Sequence, residues 1–304
     1  MVEPSKSITG HITGQTLLTP AINTWEYYLN DQGKSPHTVK AFLSDLRLVV
    51  EYLPPDRSLE SITTKDLNNF LAWLEKGRNV PCSPKTLARR ITSLKSFFRW
   101  LHEKGRISID PAEKIPQRTV ISPLPKVLTD EEVTAVLNAA SQHRWSSAKR
   151  DARPYTLLSL LLGTGIKKSE CLGIHLNHLD LEAPDGPLVF IRYASPSNRY
   201  KERKINLPED WLDAYAEYLE QYEPVDQLFP WSPRRLEYLL EDIGNEANLS
   251  KHLSFDMCRW TSSLIDLSNN VEPEKIRQKL GISKIQWREI SKKLDQLSPT
   301  GDLE

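Results

Sequence analysis

The residues whose types and spacing suggest chemistry are concentrated in "SPKTLARRITSLKSFFRWLHEKG", Ser83–Gly105. Leu87, Ile91, Leu94, Phe98 and Leu101 recur at steps of four and three, which predicts a helix with one apolar stripe. A rotation of about 100° per residue puts Lys85, Arg89, Thr92, Ser96 and Arg99 on the opposite side. On that face the helix itself offers cations and small hydroxyls and no carboxylate. Such a face can touch successive phosphates of a polyanion, and the hydroxyls permit close approach. The alternative is an ordinary solvated helix face. Between Lys76 and Arg106 there are nine basic residues and one acidic residue. A local excess of this kind suggests a polyanion partner more than a whole-chain charge does.

The whole chain is neutral, with 40 Lys+Arg and 40 Asp+Glu in 304 residues. Residues 1–120 carry 17 basic and 12 acidic residues, so the remainder is acidic by the same margin. Cys82, Cys171 and Cys258 are widely spaced and fit reduced thiols, and no pair has metal-ligand spacing. Neither a metal nor a cofactor is expected. No apolar run approaches the roughly 20 residues of a membrane span. No basic region followed by an apolar segment opens the chain, so a cytoplasmic protein with no membrane partner is expected.

The elements that must position these residues fall into two groups. Residues 1–17 are Ser/Thr/Gly-rich and are read as a flexible tail. Residues 18–107 hold four helical segments. Ser35–Pro36 and Ser83–Pro84 cap the second and fourth, Thr63 or Thr64 caps the third, and Gly33, Gly77 and Gly105 act as stops. Residues 108–126 are proline-rich and read as a linker. Residues 127–304 open on a capping box of Thr129 and Glu132. "PYTLLSLLLGTG" predicts a buried central helix, and "KKSECLGIHLNHLDLE" a second helix with an exit turn. "GPLVFIRYA" and "YKERKINLP" predict a β-hairpin, and the rest is helical. The fold class is mainly α (α+β): a four-helix bundle, then a mostly helical domain with a small hairpin or sheet.

At this level of detail the chain resembles the tyrosine recombinase (phage integrase) family. "SPHTVKAFLSDLRLVVEYL" and "SPKTLARRITSLKSFFRWLHEKGRI" look like two helices of its SAM-like core-binding domain. "LPKVLTDEEVTAVL", "LLSLLLGTGIKKSECLGIHLNHLDLE", "KERKINLP" and "LSFDMCRWTSSL" follow in the family's order. The resemblance implies two domains closing as a C-shaped clamp on duplex DNA, with the fourth bundle helix against it. It also implies a chemistry, in which a tyrosine hydroxyl attacks the scissile phosphate. Two arginines, a hairpin lysine and two His-type residues assist, because charge builds on the nonbridging oxygens.

The matched positions depart from that pattern. The first arginine of the family falls on Lys167, which keeps charge but loses the bidentate fork. The hairpin lysine falls near Asn198 or Arg199, with Lys201 aligned to a more distal position. The histidine three residues before the second arginine is Asp256, and the second arginine is retained as Arg259. The family's L-G-H reads Leu280-Gly281-Ile282, and the nucleophile falls near Ser291. The last tyrosine of the chain is Tyr238 and the last histidine His252, both before Arg259, so a small shift of register recovers neither. Glu170 is kept.

Three readings follow. The first is a catalytically inactive DNA-binding protein, regulatory or architectural on double-stranded DNA and nucleoid-associated when bound. It contacts DNA through Lys85, Arg89, Thr92, Ser96, Arg99, Lys167, Arg199, Lys201, Arg203 and Arg259, with Lys204 beside them in the hairpin. The alternative for Arg259 is an ion pair with Asp256 one helical turn away. The second is a protein-interaction module, a homo-oligomer or partner of another recombinase, using Ile285, Trp287, Ile290, Leu294 and Leu297 of the C-terminal helix. That stripe is otherwise own-domain core. The third is an active enzyme with relocated residues, Tyr193 or Tyr200, or with Ser291 as substitute nucleophile.

Overall fold

A computed structural model describes residues 12–80, 82–118, 123–146 and 149–298. The chain divides into two units, Met1–Pro123 and Leu124–Glu304.

The first unit is a helical bundle of α1 (Leu18–Asp31), α2 (Pro36–Tyr52), α3 (Thr64–Ala72) and α4 (Pro84–Glu103). The start signals read from the sequence are all used. Ser35 and Ser83 accept the backbone N–H of Thr38 and Thr86, each with proline in the first turn. Thr63 caps α3 in a reciprocal box with Asp66, and the helix runs on as a π-turn, Trp73–Gly77. Trp25 is fully buried, stacked on Phe42 and met edge-on by Phe97. The apolar stripe of α4 is buried as expected, but Ser93, Phe97 and Trp100 widen it.

Two expectations for this unit are corrected. Residues 1–11 of the expected tail lie outside the described residues, but 12–17 are fixed. Ile12 is buried in the bundle core, and the amides of Leu59 and Glu60 donate to the carbonyls of Thr16 and Gly14. One apolar anchor and a short antiparallel bridge, Leu17 to Ser58, hold the segment. The expected linker, 108–126, begins as part of the bundle. Ala112 and Ile115 are buried in its core, and Arg118 pairs with Glu75. Prolines stop a helix here without preventing the irregular chain from packing.

The second unit contains α5 (Asp130–Gln142), α6 (Arg153–Thr164), α7 (Lys168–Leu172), α8 (Trp211–Tyr222), α9 (Pro233–Glu246), α10 (Phe255–Ser268), α11 (Pro273–Lys279) and α12 (Lys284–Leu297). The capping box of Thr129 and Glu132 starts α5. Helix α6 is apolar nearly all round and is packed against α5, α8, α9 and α10. The hairpin pairs β2 (Leu188–Ile191) with β3 (Arg203–Asn206), Ile191 opposite Arg203, and β1 (Leu179–Asp180) adds an antiparallel edge. The helix expected in "KKSECLGIHLNHLDLE" is only the five residues of α7, because the chain turns at Gly173. No helix among the described residues is long and apolar enough to cross a membrane.

Candidate functional site

Helix α6 ends at Gly165, which holds a left-handed conformation (φ 61°). Its carbonyl turns back toward α10 and accepts a hydrogen bond from Arg259 Nη1. Arg259 Nη2 donates to the carbonyl of Leu280 at 2.7 Å. The alternative, an ion pair between Arg259 and Asp256, is therefore not formed. Backbone dipoles hold the guanidinium, and Asp256 points out into solvent. Burial lowers the pKa of Arg259 to about 10, opposed by nearby Glu170, so the group stays charged at neutral pH.

Lys167, Asp256 and Arg259 line one open cavity of about 660 Å3, with Arg234, Glu241, His252 and a Lys168–Glu237 ion pair (2.6 Å) at its walls. Burial lowers the Lys167 pKa, and the positive charges of Arg259, Lys201 and Arg203 push the same way. The carboxylate beneath this cluster is Glu170, whose side chain is fully buried. It accepts from the Lys167 amide (2.9 Å), both Nη atoms of Arg203 (2.9 and 3.1 Å) and the Tyr193 hydroxyl. Burial alone would raise the Glu170 carboxyl, but Arg203 and the other donors bring it down to about 2.

Arg203 is a correction. It was expected to face DNA, yet it is turned inward, where it also donates to the carbonyls of Lys279 and Lys201. Strand alternation gives the reason: position 203 shares a face with buried Ile205. Lys201 donates to Asn198 Oδ1 at 2.8 Å and lies over the Tyr200 ring, while exposed Lys204 covers Phe190. Arg199 is exposed. It lines a second cavity, of about 790 Å3, together with Asn198, His175, His178 and Arg192. Ile282 is buried against Ile276 and Leu280, with Trp287 and Ile290 beside them. Ser291 is partly exposed on α12. Thus two of the five altered positions, Lys167 and Asp256, share one cavity with the retained Arg259, and the other three do not line it.

In the bundle, Lys85, Thr92 and Arg99 are exposed and Ser96 is partly so. Arg89 is the second correction. It reaches over to buried Asp45 of α2, which also accepts from Ser93 at 2.7 Å and pairs with Arg90 at 3.6 Å. The face thought to lack carboxylates is therefore partly neutralised from a neighbouring helix. Thr92 and Gln117 are hydrogen-bonded, and a shallow cavity of about 450 Å3 brings Lys34, Lys95, Ser96 and Arg99 together.

Sequence reasoning missed Lys168, Arg234, Lys34, Lys95 and Arg192. The Ser232–Pro233 start signal of α9 places Arg234, Tyr238 and Glu241 on one helix face and could have found that wall. No group of three metal-ligating side chains occurs among the described residues.

Residues 22–105 match the family model for the phage integrase N-terminal SAM-like domain, and residues 126–289 that for the phage integrase family. A tyrosine recombinase XerD of Listeria innocua is 25% identical over 285 residues, covering 87% of this chain and 90% of its own. A tyrosine recombinase XerC of Corynebacterium efficiens is 28% identical over 275 residues, covering 87% and 83%. Among solved structures, the XerH site-specific recombinase bound to palindromic difH substrate superposes with a TM-score of 0.71 at 18% identity, covering 93% of this chain and 82% of that one. A lambda integrase dimer bound to a COC' core site gives 0.70 at 16% identity, covering 90% and 95%.

Proposed function

The chain belongs to the phage integrase family, and from that premise we propose that it binds double-stranded DNA without cutting it. The observation that carries this reading is the composition of the 660 Å3 cavity. It keeps Arg259, held by two carbonyls, and Lys167, beside Asp256, Glu237 and Glu241. The sequence beyond Arg259 has no tyrosine and no histidine. A cation satisfied by neutral dipoles still projects its charge, which suits a backbone phosphate. Loss of the nucleophile removes the covalent route outright. Asp256 at the mouth brings negative charge where a reacting phosphate would gain it, which opposes catalysis and weakens but does not abolish binding. The protein then acts as a regulatory or architectural component on DNA.

Relocated chemistry finds little support. The Tyr193 hydroxyl is bound to Glu170, and burial together with that carboxylate pushes its pKa up to about 12. A nucleophilic phenol needs the opposite shift. A second reading, docking through α12, is favoured by Ile285, which is 79% exposed, on a helix that buries only Leu294. Such docking is compatible with DNA binding and would add a second copy or an active recombinase as partner.

The test is a titration of a fluorescent duplex at several salt concentrations, beside a nicked suicide substrate that traps covalent adducts. We expect affinity to fall steeply with salt, no adduct, and Arg259→Ala to weaken binding about 30-fold or more. A trapped adduct overturns the non-cutting half. Salt-insensitive binding, or binding indifferent to Arg259, overturns the phosphate grip.

A further inference from the structure

The second cavity of the C-terminal unit, about 790 Å3, opens between α7 and the β2–β3 hairpin. The reading above gives it no role. Two imidazoles stand in its wall, His175 and His178, with ring centroids 5.1 Å apart and planes at 63°. The Nδ1–H of His175 faces Asp226 Oδ1 at 2.9 Å. That leaves His175 Nε2 as the atom where a second proton adds. His178 Nδ1 accepts the backbone N–H of His175 at 3.3 Å, so its neutral ring carries hydrogen on Nε2, and protonation at Nδ1 gives up that contact.

The charges facing this pair nearly cancel. Arg192 and Arg199 line the cavity without a carboxylate partner among the described residues; Arg192 lies over the Phe190 ring. Against them stand Asp226, on His175, and Glu202, whose carboxylate accepts the Tyr193 amide. Glu170 also borders the cavity but is taken up by Arg203. With both imidazoles neutral, the unpaired charges around them among the described residues are two cations, Arg192 and Arg199, and two anions, Glu202 and, behind His175, Asp226. With both protonated the wall carries two positive charges in excess. The imidazoles therefore decide whether an anion is attracted.

We propose that this cavity is a second phosphate-binding site, which takes a backbone phosphodiester of DNA when His175 and His178 are protonated. It rests on the DNA-binding reading for the source of the phosphate, and on the cavity's own residues for the chemistry. Burial, then the neighbouring His175 and Arg192, lower the pKa of His178 in the free protein. An anion in the cavity opposes that shift. By reciprocity, proton uptake and phosphate binding strengthen each other, so affinity rises as pH falls through the imidazole range.

The test uses the full chain with 13C-labelled histidines. Imidazole titration midpoints are read between pH 5 and 8.5, alone, with inorganic phosphate, and with a fluorescent 24-base-pair duplex. Affinity for the same duplex is measured at pH 6 and pH 8. We expect phosphate and duplex each to raise the His178 midpoint by about half a pH unit or more. Duplex binding should be about tenfold tighter at pH 6 than at pH 8. In the His175→Gln, His178→Gln double variant the pH effect should shrink to about twofold. Midpoints unmoved by either ligand overturn the proposal, and if the duplex still binds, the DNA-binding reading survives alone. Midpoints raised by phosphate with no duplex binding at either pH leave an anion site standing and remove DNA as the source. A pH effect that persists in the double variant also overturns the proposal.

Discussion

The bundle and the C-terminal unit hold their arginines in opposite ways. In the bundle, Arg89 and Arg90 close on Asp45, a carboxylate almost fully buried between α2 and α4. In the C-terminal unit, Arg259 is held by the carbonyls of Gly165 and Leu280, with no carboxylate among the described residues in hydrogen-bond reach. The first arrangement consumes charge to fix one helix against another. The second leaves the charge available to a ligand. A count of basic residues along α4 therefore overstates its electrostatic reach, whereas a single arginine in α10 carries more than its number suggests.

Substituting the two anchors in parallel would break or uphold this contrast. Asp45→Ala should lower bundle stability by about 3 kcal/mol or more, because two guanidinium groups and the Ser93 hydroxyl lose a buried partner. Thermal unfolding reads this directly, and duplex affinity of the folded fraction should stay within about twofold. Equal losses of stability and affinity would mean that Arg89 faces DNA after all.

Acid sharpens the comparison next. The folded Glu170 carboxyl lies at about 2, below an ordinary carboxylate near 4.3. Its contribution is therefore complete above about pH 4.3 and is lost as pH falls toward 2. At pH 7, Glu170→Gln should be less stable by about 3 kcal/mol, and the gap to the unaltered chain should close in acid. A gap that does not change with pH would show that the Arg203 pair adds nothing.

The smallest effect separates two residues of α4. Arg99 is exposed and borders Lys34 and Lys95, whereas Arg89 is tied to Asp45. Arg99→Ala should weaken duplex binding about threefold and flatten the salt dependence by about one ion, and Arg89→Ala should do neither. A reversal would return Arg89 to the interface.

Local signals carried most of the architecture. The Ser–Pro starts of α2 and α4, the capping box of α5 and the all-apolar run of α6 are properties of adjacent residues, and each appears where its pattern places it. Contacts between distant positions were not legible in that way. Asp45 meets Arg89 across 44 residues. One clue was present: Asp45 lies between Phe42 and Val49 at helical steps of three and four, an acid on an otherwise apolar arc. Arg203 had a similar clue in its two-residue spacing from Ile205. The place of Lys167 beside Asp256 and Arg259 was legible only through the family resemblance, since no local pattern joins it to α10.

Ile282 sets a further condition on any return to chemistry. The resemblance places a histidine there, but the isoleucine now fills a small apolar cluster with Ile276 and Leu280. An imidazole in its place would lose that packing and require its own hydrogen-bond partner. On the non-cutting reading, a tyrosine placed at 291 would therefore not supply the chemistry by itself. On the proposed reading, regaining chemistry requires exchanges at several positions together, and the one at 282 costs packing when made alone.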